Sequence, residues 1–309
     1  MGATACGKTD LSLSLATLLD AEIINVDSAL VYRGMDIGTA KPSADERAQV
    51  VHHLIDICDP WQTYSAAQFC KDANDLINEI HTRGKRALLT GGTMLYFKAL
   101  EEGLAELPEA SPAVRAELAR EAAESGWPAL HEKLASVDPR AAQRIHPNDP
   151  QRLQRALEVH QLTGKPLSEL QDSTRSLLEI APVKFALIPS QRAWLHQRIE
   201  QRFQLMLEEG FIDEVIKLRK DCRINAALPA MRSVGYRQAW EYLENQNRPL
   251  HASEDDTVWV QKALAATRQL AKRQLTWMRS MNNIVPIECD ELSPQQQIDI
   301  VVKHTERLR

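Results

Sequence analysis

Gly2-Ala3-Thr4-Ala5-Cys6-Gly7-Lys8-Thr9 fits G-x-x-x-x-G-K-[ST], the pattern of a phosphate-binding loop. Its glycines let backbone N–H groups converge on a phosphate without obstruction by Cβ. Lys8 reaches the outer phosphate oxygens, and the Thr9 hydroxyl is placed to hold Mg²⁺. A helix is expected next, with Leu11, Leu15, Leu18 and Leu19 on one face. Its N-terminus adds a positive partial charge to the anion site. A phosphate loop normally follows a strand, so the first strand of the sheet is expected to be missing upstream of Met1.

Moving outward, Glu22–Val26 reads as a short buried strand that ends at Asp27-Ser28, and 53–57 reads as a second strand closed by Asp59-Pro60. A helix is expected from Ser65 to His81, stopped by Arg83-Gly84-Lys85. Arg86–Thr90 reads as a third strand, turning at Gly91-Gly92-Thr93 into another helix. Strands alternating with helices predict a mostly parallel sheet, whose ligands gather beyond the carboxyl ends of the strands. The texture becomes helical from about Leu104 to Leu170, with Asp149 as N-cap and Pro150 as first residue of one helix. Strand character returns at 183–188 and near Ile284–Ile287. The expected layout is a core of residues 1–103 and 181–309, with an all-helical insertion at 104–180.

With 44% hydrophobic and 26% charged residues, the composition is that of an ordinary globular chain. No apolar run is long enough to span a bilayer, and no signal-peptide pattern stands at the start, so the cytoplasm is the expected location. The five cysteines are scattered and never in C-x-x-C, which suggests neither a disulfide framework nor a zinc site. A net charge of −5 does not announce a nucleic-acid binder, so any such role must rest on local charge.

Two groups of residues are candidates for chemistry. Asp27 stands just past a strand end, facing the loop, where a carboxylate serves as general base, metal ligand or turn cap. Thr93 lies on the same rim, as a substrate contact or as a helix N-cap. No hhhhD strand of the kind that holds Mg²⁺ in many ATPases is present, which weakens an ATPase reading. The second group is basic. Lys262, Arg268, Lys272, Arg273 and Arg279 share a helical stretch that contains no acid, while Leu264, Ala271, Leu275 and Met278 form its docking face. Such a stripe in an acidic protein points to an anionic polymer. Arg192, Arg198 and Arg202 form another set, and Arg152 with Arg155 a third. In Arg232-Ser233-Val234-Gly235-Tyr236-Arg237, an aromatic and two arginines flank a glycine, a mix suited to stacking and phosphate contact.

These motifs come in series. They are Gly2–Thr9, Val26–Tyr32, Gly34–Pro42, Gly91–Tyr96, Ile145–Arg152, Arg198–Phe203, Val234–Gln238 and Thr267–Gln274. In this order the chain resembles the tRNA dimethylallyltransferases (tRNA isopentenyltransferases) over nearly its whole length. The resemblance implies a P-loop nucleoside-triphosphatase-like parallel sheet with flanking helices, the inserted domain contacting tRNA. It implies transfer of a dimethylallyl group from dimethylallyl diphosphate to the N6 amine of the adenosine immediately 3′ of the anticodon, with Mg²⁺. Asp27 matches the general base. Lys8, Thr9 and the rest of the loop match the diphosphate and metal contacts, and Arg202 matches an arginine assigned to diphosphate. Thr93 and Arg115 match channel positions touching tRNA. Further tRNA contacts match Asp27-Ser28-Ala29-Leu30, Gln151-Arg152-Leu153-Gln154-Arg155, Arg232–Arg237 and Ala265-Ala266-Thr267-Arg268-Gln269-Leu270-Ala271-Lys272. The family usually has Pro at Ala3 and Ser at Cys6. The eukaryotic zinc finger is absent, which points to the bacterial type; a monomer is expected. A phosphate-loop kinase of small molecules or nucleotides shares the loop but has no use for the basic helix. A tRNA-binding protein with a degenerate site sits poorly with intact Lys8, Thr9 and Asp27.

Overall fold

Gly7 makes the turn into the first helix with a left-handed backbone (φ 85°, ψ 22°), a region glycine enters without steric cost. The computed structural model describes residues 1–105, 107–172, 178, 181–245 and 255–306. They form two compact units, Met1–Lys98 with Ile180–Arg309, and Ala99–Glu179. Residue 180, the expected end of the insertion, lies outside the described residues.

The first unit opens with α1 (Lys8–Leu18) and β1 (Ala21–Val26). Every residue of β1 is buried, as in the interior of a parallel sheet. It pairs in parallel with β2 (His52–His53) on one side and β3 (Arg86–Gly91) on the other, in the order β2-β1-β3. Before β2 comes α2 (Ala44–Gln49), closed by a Ser43/Glu46 capping box. After it, α3 (Ala66–Thr82) starts at the Ser65 cap and buries Phe69, Ala73 and Ile80. α4 (Met94–Glu102) follows β3.

Two expectations change here. In α1, Ser12, Leu15 and Ala16 face inward, whereas Leu18 is 59% exposed. The strand expected over 53–57 stops at His53. Leu54 and Asp56 turn left-handed (φ 61° and 57°), held there by competing bonds. The Asn25 amide donates to the Leu54 carbonyl (3.0 Å), and Lys41 and Arg47 grip the Asp56 carboxylate at 2.6 and 2.7 Å. The Asp56 and Cys58 N–H groups donate to Leu30 and Val31 instead of extending the β1 ladder.

The second unit is a helical cluster: α5 (Pro112–Ser125), α6 (Trp127–Val137), α7 (Pro139–Arg144), α8 (Pro150–Thr163) and α9 (Leu167–Gln171). Ser111, Asp138 and Asp149 cap α5, α7 and α8, each followed by proline at the first helical position. Leu118, Leu130, Leu134, Leu153 and Leu157 form its core, each worth about 1.5–3 kcal/mol of apolar burial. Two buried carboxylates tie it together. Asp138 accepts from Ala141 N, Ser168 N and Ser168 Oγ. Glu158 accepts from Ser111 N, Arg115 and Arg155. Burial acts to raise both pKa values, but these donors bring them below the usual carboxylate range.

The first unit resumes with β4 (Lys184–Ile188), α10 (Arg192–Glu208), α11 (Phe211–Arg219), α12 (Tyr236–Asn245), α13 (Asp255–Ser280), β5 (Ile284–Glu288) and α14 (Pro294–Glu306). β4 and β5 pair in parallel as a second ladder. Met1 and Gly2 lie along β4: Leu187 N donates to the Met1 carbonyl (3.0 Å), and Gly2 bridges Leu187 in parallel.

Candidate active site

The loop Ala3–Gly7 wraps the N-terminus of α1, with Ala5 as well as Gly7 at positive φ. Lys8 Nζ folds back onto the Ala3 carbonyl (2.8 Å). Two later helices seat the loop. Arg198 Nε of α10 donates to the Ala5 carbonyl (2.8 Å) while its guanidinium stacks on Trp194. Gln274 of α13 accepts from Thr4 N (2.9 Å) and donates to the Gly92 carbonyl at the end of β3 (2.8 Å). The amide therefore bridges the loop to the sheet.

A cleft of about 190 Å³ opens over this loop. Lys8, Thr9, Asp27 and Arg202 all line it, and so do Thr4 and Ala5. Asp27 comes directly after β1. Its carboxylate accepts from Ala29 N (2.9 Å), and its carbonyl accepts from Asn25 Nδ2 (3.1 Å), which fixes the strand-end turn. Arg202 donates to the Thr39 carbonyl (3.3 Å) on the opposite wall. Burial lowers the Lys8 pKa to about 8, with Arg202 pushing the same way and Cys6 and Asp27 pulling against it. Burial lowers the Arg202 pKa as well, while the charge of Asp27 supports its protonated form. Leu30, Ile199, Phe203, Met206 and Leu270 supply apolar walls. Among the described residues, no group of three or more His, Cys, Asp and Glu side chains forms a metal cage.

The other sequence candidates divide. Ala29, Leu30, Ser233, Val234, Gly235, Tyr236, Thr267 and Leu270 line the same cleft. Ser28 is exposed beside it, its N–H bonded to Thr93 Oγ1 (3.0 Å). Arg232, Arg237, Ala265, Gln269 and Lys272 are exposed, and Ala266 is half-buried. Arg268 is half-buried, 3.6 Å from Glu200. Three side chains are corrected. Leu153 and Ala271 are at most 1% exposed and serve the cores of their units, so neither side chain is presented at the surface. Tyr236 is also fully buried, edge-on to Phe211 with its hydroxyl on Glu214, so its ring is unavailable for base stacking. In the second unit, Arg115 and Arg155 both pair with Glu158, Arg152 pairs with Asp149, and Gln154 donates to the Arg115 carbonyl. The side chain of Gln151 is exposed. From the sequence Gln274 is only the last residue of a matching motif with no role attached, and Glu214 is not singled out, because an amide or carboxylate on an amphipathic helix reads as solvated until the loop it grips is in view.

One α/β unit thus sets a glycine-containing loop, two cations and a strand-end carboxylate around one cleft. The chain belongs to the IPP transferase family, whose sequence profile matches residues 30–281. It is 56% identical to the tRNA dimethylallyltransferase of Alkalilimnicola ehrlichii, over 97% of this chain and 91% of that one. The full-length tRNA isopentenylpyrophosphate transferase of Bacillus halodurans superposes with a TM-score of 0.70 at 38% identity, covering 99% of this chain and 94% of that one. A eukaryotic dimethylallyltransferase captured acting on tRNA superposes with a TM-score of 0.82 at 25% identity, covering 99% and 78%.

Proposed function

We propose that this chain transfers the dimethylallyl group of dimethylallyl diphosphate to the exocyclic N6 amine of the adenosine immediately 3′ of the anticodon in tRNA. The observation that carries the reading is the single cleft lined by Lys8, Thr9, Asp27 and Arg202 in a member of the IPP transferase family. The donor's diphosphate rests on the Gly2–Thr9 loop and the N-terminus of α1. Lys8 and Arg202 offset the charge that grows on the leaving oxygen. The apolar walls receive the prenyl chain. The adenosine is unstacked to enter the cleft, and basic groups on α13 attract the RNA backbone. As N6 bonds to the allylic carbon, the carbon–oxygen bond to diphosphate breaks and its electron pair leaves with the diphosphate. Asp27 accepts the amine proton, without which the product would carry a positive charge.

Mg²⁺ fits this site as an ion shared with the donor. Thr9 would hold it together with phosphate oxygens, in keeping with a small cation that takes few protein ligands. When bound, it neutralises diphosphate charge.

We also read the core as a P-loop nucleoside-triphosphatase-like sheet in which Met1–Gly2 ends a strand between β3 and β4. Their pairing with β4 supports this, as does the position of the Gly2 carbonyl against Gly92. Incubation with bulk tRNA and radiolabelled dimethylallyl diphosphate should place label in the RNA. ATP consumption without labelled RNA would favour the kinase reading, which the relatives' names do not.

A further inference from the structure

Glu214 on α11 makes four hydrogen bonds with one carboxylate. Oε2 accepts from the backbone N–H groups of Asp36 (2.7 Å) and Ile37 (2.8 Å). Oε1 accepts from Gly38 N (3.1 Å) and from the buried Tyr236 hydroxyl. A carboxylate offers about four lone-pair positions, so none remains for a substrate proton or a metal. Burial and the Glu214 charge push the Tyr236 phenol up in pKa, keeping it a donor. The segment being held fits tightly, since a Cβ on Gly38 would collide with the rings of Phe211 and Tyr236. The next residue is Thr39, whose carbonyl takes the Arg202 guanidinium at 3.3 Å. Gly38 and Thr39 themselves line the cleft.

We infer that Glu214 is a positioning residue: by clamping 36–38 it fixes the Thr39 carbonyl that aims Arg202 at the diphosphate end of the cleft. This rests on the reading above that Arg202 meets the donor's diphosphate. A guanidinium free to rotate would lose ordered contact with the anion, whereas one held from behind by a fixed carbonyl meets it pre-oriented.

The test is a double-mutant cycle with Arg202, read as the KM for dimethylallyl diphosphate, kcat, and tRNA affinity by filter binding. Glu214→Gln keeps the shape but turns an NH₂ donor toward backbone donors, so at least one pair of bonds is lost. Expected is a rise of about tenfold in donor KM with tRNA affinity changed less than about twofold. In an Arg202→Gln background the same change should add less than about twofold, because the residue it acts through is gone. An equal factor in both backgrounds, or an unchanged donor KM in the single variant, overturns the proposal. If Arg202→Gln alone leaves donor KM unchanged, the diphosphate reading of Arg202 falls, and this inference with it. Should Glu214→Gln fail to fold by circular dichroism, Tyr236→Phe removes one of the four bonds. A rise in donor KM that vanishes in the Arg202→Gln background supports the clamp, and one that persists overturns it.

Discussion

Asp27 and Lys8 both line the cleft, and the role proposed for each has a measurable signature. Adenine's amine is a poor nucleophile, its lone pair delocalised into the ring, and it must lose a proton as the new bond forms. A positioned base contributes about 10²–10⁴-fold. Asp27→Asn retains shape and the Ala29 contact but cannot take the proton. It should lower kcat by at least about a hundredfold in single-turnover transfer while tRNA affinity changes far less. Equal losses in both would make Asp27 a recognition residue. Lys8 titrates near pH 8 in the free protein, lowered by burial. It is cationic below that pH and neutral above it. The donor kcat/KM should therefore fall as pH rises through about 8, with KM carrying the change, and Lys8→Arg should move the fall upward. A flat profile from pH 7 to 9.5 would remove Lys8 from the diphosphate contact. Both residues were legible from the sequence because loop chemistry and a strand end are local patterns. Glu214 and Gln274 were not, because their partners lie 176–178 and 182–270 positions away.

Among the elements, α13 carries two loads on opposite faces. Ala263, Leu264, Ala271, Leu275 and Met278 are buried, while Lys262, Lys272, Arg273 and Arg279 are exposed. If the exposed stripe contacts phosphates, Lys272→Ala should weaken tRNA binding and flatten its log–log salt dependence by about one unit. It should leave donor KM alone, since Lys272 does not line the cleft. An unchanged slope would return the stripe to ordinary solvation. The periodicity of α13 was readable because an amphipathic helix writes both faces into one stretch. β1 and β3 were readable from their short apolar centres, Ile23-Ile24 and Ala87-Leu88-Leu89, each followed by turn residues. The strand expected over 53–57 was misread for a physical reason. Its apolar residues, Leu54, Ile55 and Ile57, suit a strand, but Asn25, Lys41 and Arg47 bend the backbone out of the ladder at Leu54 and Asp56, and no local pattern records those bonds.

For the molecule as a whole, the two parallel ladders are the feature to test. β2-β1-β3 and β4-β5 are separate among the described residues, with Met1 and Gly2 alongside β4. If Met1–Gly2 ends a strand between the two ladders, as proposed above, then adding about six apolar residues upstream of Met1 should lengthen that strand, satisfy more backbone groups, and raise the melting temperature by at least ~3 °C. No change on extension would mean those groups are satisfied by other packing. The pairing at Met1 also bears on synthesis. The contacts that seat the phosphate loop and the residue before it come from Phe185, Arg198 and Gln274, which lie 184, 193 and 270 positions from Met1, Ala5 and Thr4. A ribosome adding about 5–20 residues per second needs roughly 14 to 54 seconds to go from the loop to the last of them. Until then the nascent chain carries a finished signature with nothing behind it. The loop, made about 270 residues before its last partner, is thus among the last parts of this unit to acquire its working shape.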